Sequence, residues 1–378
     1  MGEQPIKLIC VAGARPNFMK LAPLLRLLRA DPEFSPILVH TGQHYDDQMS
    51  GKFFRDLQMP SPDHNLDVRG GSHAQQTGEI MKRFEPVLLK EKPDGVLVVG
   101  DVNSTLACAL VASKLQVPVI HAEAGLRSFD RTMPEEINRV LTDALSELLL
   151  ITEDSATQNL LAEGISPDRI HMVGNLMIDS LRRHLDACAE SDITARLGIE
   201  GKYGVITLHR PNNVDNPEQL AEIIQALNRI AEELPLYFPV HPRTRTTFNV
   251  NNISVHPEIR LIEPLGYLDF LSLISRSFAV FTDSGGIQEE TTVLGIPCLT
   301  LRNNTERPIT VVEGTNILAG THEGTILGAW RELLRRPKNG RIPRYWDGRA
   351  AERCVGVLKE YFSQSKQGTG IDLSIGVC

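Results

Sequence analysis

Phe281-Thr282-Asp283-Ser284-Gly285-Gly286-Ile287-Gln288-Glu289-Glu290 follows the apolar run 278–281 and leads into helix-forming residues. An apolar strand that meets Ser-Gly-Gly and then Gln-Glu-Glu presents free backbone N–H groups at a helix N-terminus, above the edge of a sheet. That is a seat for phosphate. Gly285 and Gly286 let a diphosphate approach the main chain closely, and Glu290, a helical turn further in, can accept hydrogen bonds from two vicinal ribose hydroxyls. The same stretch also reads as an ordinary strand-to-helix turn capped by Asp or Ser. Its meaning rests on the rest of the chain.

Outward from this stretch, short β-branched or apolar runs alternate with longer amphipathic ones, the pattern of a parallel sheet covered by helices. The first half offers strands near 7–11, 36–40, 95–99, 117–121, 148–151 and 170–173, and the second near 204–208, 236–240, 259–262, 278–281 and 297–301. Helical stretches at 176–189 and 191–197 join the two sets. The economical fold is α/β, two Rossmann-like units in tandem.

Composition limits what such a chain does. At 378 residues, 42% hydrophobic and 23% charged, it is long enough for two domains with full cores. A net charge of −8 argues against a polyanion as partner, so no nucleic acid is expected, and phosphate is held locally by a few Arg, Lys and backbone N–H groups. Six cysteines (Cys10, Cys108, Cys188, Cys298, Cys354, Cys378) form no C-x-x-C pair and read as reduced thiols. Only His40 and His44 of eleven histidines stand four apart, across a strand end and a loop, so no metal is expected. No apolar segment approaches a membrane span and no signal-peptide pattern opens the chain, so the expectation is a cytoplasmic protein without membrane contact.

In an open parallel sheet every strand points its carboxyl end at the same crevice, so residues just after strands are the functional candidates. After the first come Gly13, Arg15 and Lys20, cations where a helix start ordinarily prefers acids. Asp101 follows the third; there an aspartate either caps a helix or works in the site. Glu123 stands among small residues with no evident structural duty. Pro134-Glu135-Glu136 is good helix-start chemistry, which accounts for one glutamate more readily than for both. In the second half His209 and Arg210, His241 and Arg243, and Thr305-Glu306-Arg307-Pro308 all follow strands.

Taken in order, Gly13-Ala14-Arg15-Pro16 with Lys20, Thr41-Gly42-Gln43-His44, Gly100-Asp101 with Ser104-Thr105-Leu106, Glu123-Ala124-Gly125-Leu126-Arg127, Pro134-Glu135-Glu136-Ile137-Asn138-Arg139, the 283–290 stretch and Thr305-Glu306-Arg307-Pro308 resemble the non-hydrolysing UDP-N-acetylglucosamine 2-epimerases over nearly the whole chain. The resemblance implies a GT-B-like architecture, two Rossmann-like domains with parallel sheets facing a central cleft: residues 1–176, joined by a C-terminal helix at about 358–378, and a UDP-binding domain at 177–357. It implies a homodimer that needs no cofactor and interconverts UDP-GlcNAc and UDP-ManNAc, eliminating UDP to a 2-acetamidoglucal and adding it back. Arg15, Lys20, His209, Ser284, Gly285, Gly286 and Arg307 would meet UDP, with Glu290 on the ribose. Asp101, Glu123 and Glu135 would serve the sugar as acid, base and cation stabiliser, with His209 beside them, the division among the three carboxylates left open.

The chain departs from the family at Ala14 and at Asn17-Phe18-Met19, where members carry Thr and Glu-Ala-Ile, and at Tyr45-Asp46-Asp47. Gln43, His44, Glu136, Arg210 and His241 match a second, activating site of bacterial members, whereas the Asp46 region does not. Relatives that epimerise a UDP-diacetamido-glucuronic acid share the style of the 42–46 segment. A GT-B glycosyltransferase would use the same phosphate seat with an acceptor site in place of paired proton-transfer groups.

Overall fold

A computed structural model describes residues 4–42, 59–240 and 242–368. Among them a seven-stranded sheet takes β1 (Ile6–Ala12), β2 (Phe34–His40), β3 (His64–Asn65), β4 (Gly95–Val99), β5 (Val119–Ala124), β6 (Leu148–Ile151) and β7 (Ile170–Met172) in the order β3-β2-β1-β4-β5-β6-β7. A six-stranded sheet takes β8 (Gly204–Thr207), β9 (Leu236–Pro239), β10 (Ile259–Ile262), β11 (Ala279–Thr282), β12 (Cys298–Thr300) and β13 (Asn316–Leu318) in the order β10-β9-β8-β11-β12-β13. All pairs are parallel. The central strands are largely apolar because helices cover both faces; every residue of β4 is buried.

Strand order reverses between β1 and β4 in one sheet and between β8 and β11 in the other. Ligands bind α/β sheets at such switch points. Gly13-Ala14-Arg15 and Gly100-Asp101 leave the first; His209-Arg210 and the 283–286 turn leave the second.

One face of the first sheet packs on the helices Arg15–Ala30, Leu176–Ala189 and Ala350–Gly368 through Leu21, Leu25, Leu181, Cys354 and Leu358. Tyr267 and Leu271 of the second half join that core, so the two lobes share apolar packing. The second sheet has its own core, built on Leu227, Phe281 and Trp330. Asp179 carries the chain back to the first lobe: its carboxylate accepts the amides of Ala350 and Ala351 at 3.0 and 2.7 Å, capping the returning helix. All five described cysteines are buried free thiols.

Three strand readings need correction. β3, His64-Asn65, and β13, which opens on Asn316, present no apolar run for the sequence to show. β5 runs past His121 to Ala124, so Glu123 sits inside the strand end and not after it. The glutamate is accommodated by an irregularity: pairing with β6 slips between Ala122 and Ala124, and Glu123 adopts φ 69°.

Candidate active site

At the second switch point β11 is followed by Asp283, fully buried. Its carboxylate accepts the amides of His209 (3.1 Å) and Arg210 (3.0 Å), the Asn213 side-chain amide (3.2 Å), and stands 2.9 Å from His209 Nδ1. Burial raises its pKa, but the His209 side chain and these amides more than offset that and hold it below the ordinary range. Asp283 therefore shapes the His209-Arg210 turn and leaves the His209 side chain 62% exposed.

The Gly285–Leu294 helix begins without a side-chain cap and without an acid in its first turn, so its N-terminal amides stay available to an anion. The two glycines differ. A Cβ on Gly285 would lie 2.7 Å from Glu306 Oε1, whereas one on Gly286 would meet only the Met177 methyl at 3.5 Å. Gly285 is thus required by Glu306, whatever it does for phosphate. Glu306 is held well below the usual carboxylate range: burial opposes ionisation, but Arg210, Arg302 and Arg307 outweigh it. Arg302 and Arg210 reach it at 2.7 and 3.1 Å.

Across the cleft Glu123 is gripped on both oxygens, by Lys20 Nζ from the first helix and by Arg307 Nη2 from the other lobe, each at 2.5 Å. Arg307 Nε lies 2.7 Å from Glu289 Oε1, close enough for an ion pair but not aligned as a hydrogen bond. Burial raises the Glu289 carboxyl and Glu123 adds to the rise, against the pull of Arg307. Asp101, its side chain 24% exposed, is bonded by Arg139; despite burial its carboxyl is lowered by Arg139, Lys20 and Arg307. Asp101 therefore feels the same cations that hold Glu123.

Glu135, half-buried in the first turn of the Pro134–Leu145 helix, has no hydrogen-bond or ion partner among the described residues. Its neighbour Glu136 accepts five hydrogen bonds: Ser128 N and Oγ at 3.0 and 3.1 Å, Phe129 N at 2.8 Å, and Arg139 Nε and Nη2 at 3.0 and 2.6 Å. Structure consumes one glutamate and leaves the other available.

Lys20 is engaged with Glu123 instead of standing open to an anion. Arg15 opens the helix after β1. Glu290 is buried on its helix, with the Tyr267 hydroxyl 3.4 Å from Oε1. Of the residues matched to a second site, Gln43, His44 and His241 lie outside the described residues. Glu136 and Arg210 sit in separate networks, Arg210 donating to Asp283 O and Glu306. Among the described residues no group of His, Cys, Asp and Glu is gathered to hold a metal.

Sequence reasoning missed Glu153, buried just after β6 and accepting from Ser155 Oγ at 2.5 Å. Burial pushes its carboxyl up to about 7. The strand-end rule that picked out Asp101 applies equally to it.

A two-lobed α/β fold with an open helix N-terminus at a switch point is the arrangement of a nucleotide-binding protein. The family model described as UDP-N-acetylglucosamine 2-epimerase matches residues 26–359. The UDP-N-acetylglucosamine 2-epimerase of Methanocaldococcus jannaschii is 43% identical over 364 residues, covering 93% of this chain and 99% of its own. Its crystal structure with UDP-GlcNAc and UDP superposes with a TM-score of 0.88, at 42% identity, over 94% of this chain and all of that one. The UDP-2,3-diacetamido-2,3-dideoxy-D-glucuronate 2-epimerase of Pseudomonas aeruginosa is 42% identical over 358 residues, covering 93% and 99%. The chain belongs to the UDP-N-acetylglucosamine 2-epimerase family.

Proposed function

We propose that the protein interconverts UDP-GlcNAc and UDP-ManNAc by elimination and re-addition of UDP. The observation that carries this reading is Glu123, a carboxylate held between Lys20 and Arg307 beside a helix N-terminus free to take a diphosphate. The C2 proton of the sugar is too weakly acidic to be removed alone. Breaking the C1–O bond lets the C2–H electron pair form a C1–C2 double bond, so the products are UDP, a 2-acetamidoglucal and a proton on a carboxylate. The diphosphate leaves as an anion stabilised by Arg307, His209, Ser284 and the amides of Gly285 and Gly286, the Ser284 amide itself being taken by Thr282 Oγ1 at 3.0 Å. As it develops charge it competes with Glu123 for Arg307 and frees that carboxylate for the proton at C2. Asp101 and Glu135 supply the remaining acid and charge-stabilising roles, and re-addition with the proton delivered to the opposite face gives the epimer. Arg15 and Glu290 complete the nucleotide's contacts at Arg15's helix start and at the ribose.

A second sugar is favoured by one observation: the diacetamido-glucuronate epimerase is as similar as the UDP-GlcNAc enzyme, at 42% against 43% identity. Proton NMR in D2O decides. UDP-GlcNAc alone should give its C2 epimer with deuterium at C2 and traces of free UDP, unaffected by NAD. Glu123→Gln should slow turnover about a hundredfold or more. Protium retained at C2 of the product would overturn elimination; turnover of the diacetamido acid but not of UDP-GlcNAc would select the second sugar.

A further inference from the structure

Proton transfer at C2 requires the Asp101 and Glu123 carboxylates to be fixed relative to one another, although they leave different strands. Glu123 is also in an unfavourable place: its φ of 69° is left-handed, a region that a non-glycine residue enters only at a cost. Such a conformation persists only where its surroundings over-determine it.

Asp143, on the Pro134–Leu145 helix and fully buried, supplies the determination. Its Oδ1 lies 2.6 Å from His121 Nδ1, and its Oδ2 accepts the Gly125 amide at 3.0 Å. Those two residues stand two positions before and two after Glu123. The other ring nitrogen of His121 meets the carbonyl of Gly100 at 2.8 Å, the residue before Asp101. Through the two ring nitrogens of His121 the Asp143 carboxylate is thus tied to the backbone beside Asp101 as well as to the strand end that carries Glu123. Arg127 closes the cluster, 2.7 Å from Asp143 Oδ2 and 2.6 Å from Glu163.

Replacing a buried ionic cluster with well-packed apolar groups is often neutral or stabilising. Stability alone therefore gives no reason for this one, whereas its bonds end on the backbone beside both carboxylates. We propose that Asp143, acting through His121 and the Gly125 amide, is a positioning residue that sets Glu123 against Asp101. The inference rests on the reading of those two as proton-transfer groups.

The test is steady-state kinetics on Asp143→Asn, with Glu123→Gln and Glu163→Gln in parallel, each assayed well below its unfolding temperature. For Asp143→Asn the expected result is a kcat lower by about tenfold to a hundredfold, with KM and the UDP affinity from calorimetry within about twofold of the parent, because the nucleotide seat lies on the other lobe. Glu163→Gln, which loosens Arg127 but touches neither strand end, should keep the parent rate. A folded Asp143→Asn of normal kcat overturns the proposal, and so does a loss of kcat matched by an equal loss of UDP affinity, the mark of general damage. Should Asp143→Asn not fold, His121→Gln is judged by the same criteria. A fully active Glu123→Gln would instead overturn the underlying reading, whatever Asp143→Asn does.

Discussion

Glu290 shows how burial sets the behaviour of single residues here. Enclosure raises its carboxyl, the neighbouring charge of Glu289 adds to the rise, and the Tyr267 hydroxyl only partly offsets them, leaving it at about 8 against an ordinary 4.5. The native state thus keeps a proton that the unfolded chain has released. Stability falls as pH climbs from 4.5 through 8 and levels off above. Glu153, pushed up to about 7, acts in the same direction. Asp101, Asp143, Asp283 and Glu306 are depressed, so their contribution is lost only as pH falls below the ordinary carboxylate range. Glu290→Gln should therefore flatten the decline of the thermal midpoint across that window; an unchanged slope would mean Glu290 is ionised at neutral pH. The two seat glycines give a second residue-scale prediction. Gly285→Ala drives a methyl against Glu306 and should cost about 1–3 kcal/mol, whereas Gly286→Ala should change stability by less than about 1 kcal/mol. Urea titration of both variants measures the difference, and equal costs would contradict it.

Among elements, the returning helix depends on one side chain. Asp179 satisfies the amides of both Ala350 and Ala351, so Asp179→Ala should cost about 1–2 kcal/mol and speed hydrogen exchange at the start of the Ala350–Gly368 helix before elsewhere. Uniform exchange along that helix would deny the cap its role. The elements themselves were largely legible, because a parallel sheet buried on both faces writes its central strands as continuous apolar runs: Gly95–Val99 and Leu148–Ile151 stand where the sequence places them, and so does the edge strand Ile259–Ile262, which is apolar except for the exposed Arg260. β13 escaped because it opens on a polar Asn316 and offers no apolar run, and the end of β5 escaped because a glutamate inside an apolar strand reads as its end. The site was legible as residue types after strands. Its pairings were not: Glu123 meets Arg307 across 184 positions and His121 meets Asp143 across 22, separations that no local pattern encodes. Thus Lys20 and Arg307, read as partners of an anionic leaving group, are also the two clamps on Glu123.

For the whole molecule, what joins the lobes at the site is polar and sparse beside the shared packing of Tyr267 and Leu271. Arg307 reaches Glu123 at 2.5 Å, and Asn304 donates to Asp130 at 3.3 Å. Removing one partner of a buried pair costs about 3–5 kcal/mol where the other charge is left uncompensated; Lys20 stays on Glu123, so the loss of Arg307 costs less than that. Glu123 would recover part of that by moving toward water, which the lobes permit by swinging apart. Arg307→Met should therefore open the cleft, and small-angle scattering of the ligand-free variant should give a larger radius of gyration than that of the parent. Because the bridge is almost fully buried, with side chains 5% exposed on each side, salt should not screen it, so the parent's radius should hold as ionic strength rises. Saturating UDP offers Arg307 a diphosphate in place of Glu123 and can hold the parent closed through the ligand; in Arg307→Met that substitute has lost its cation, and UDP should close the variant less. Identical radii for parent and variant, with and without UDP, would mean that the apolar packing alone fixes the lobes and that the Arg307–Glu123 bridge serves only the chemistry.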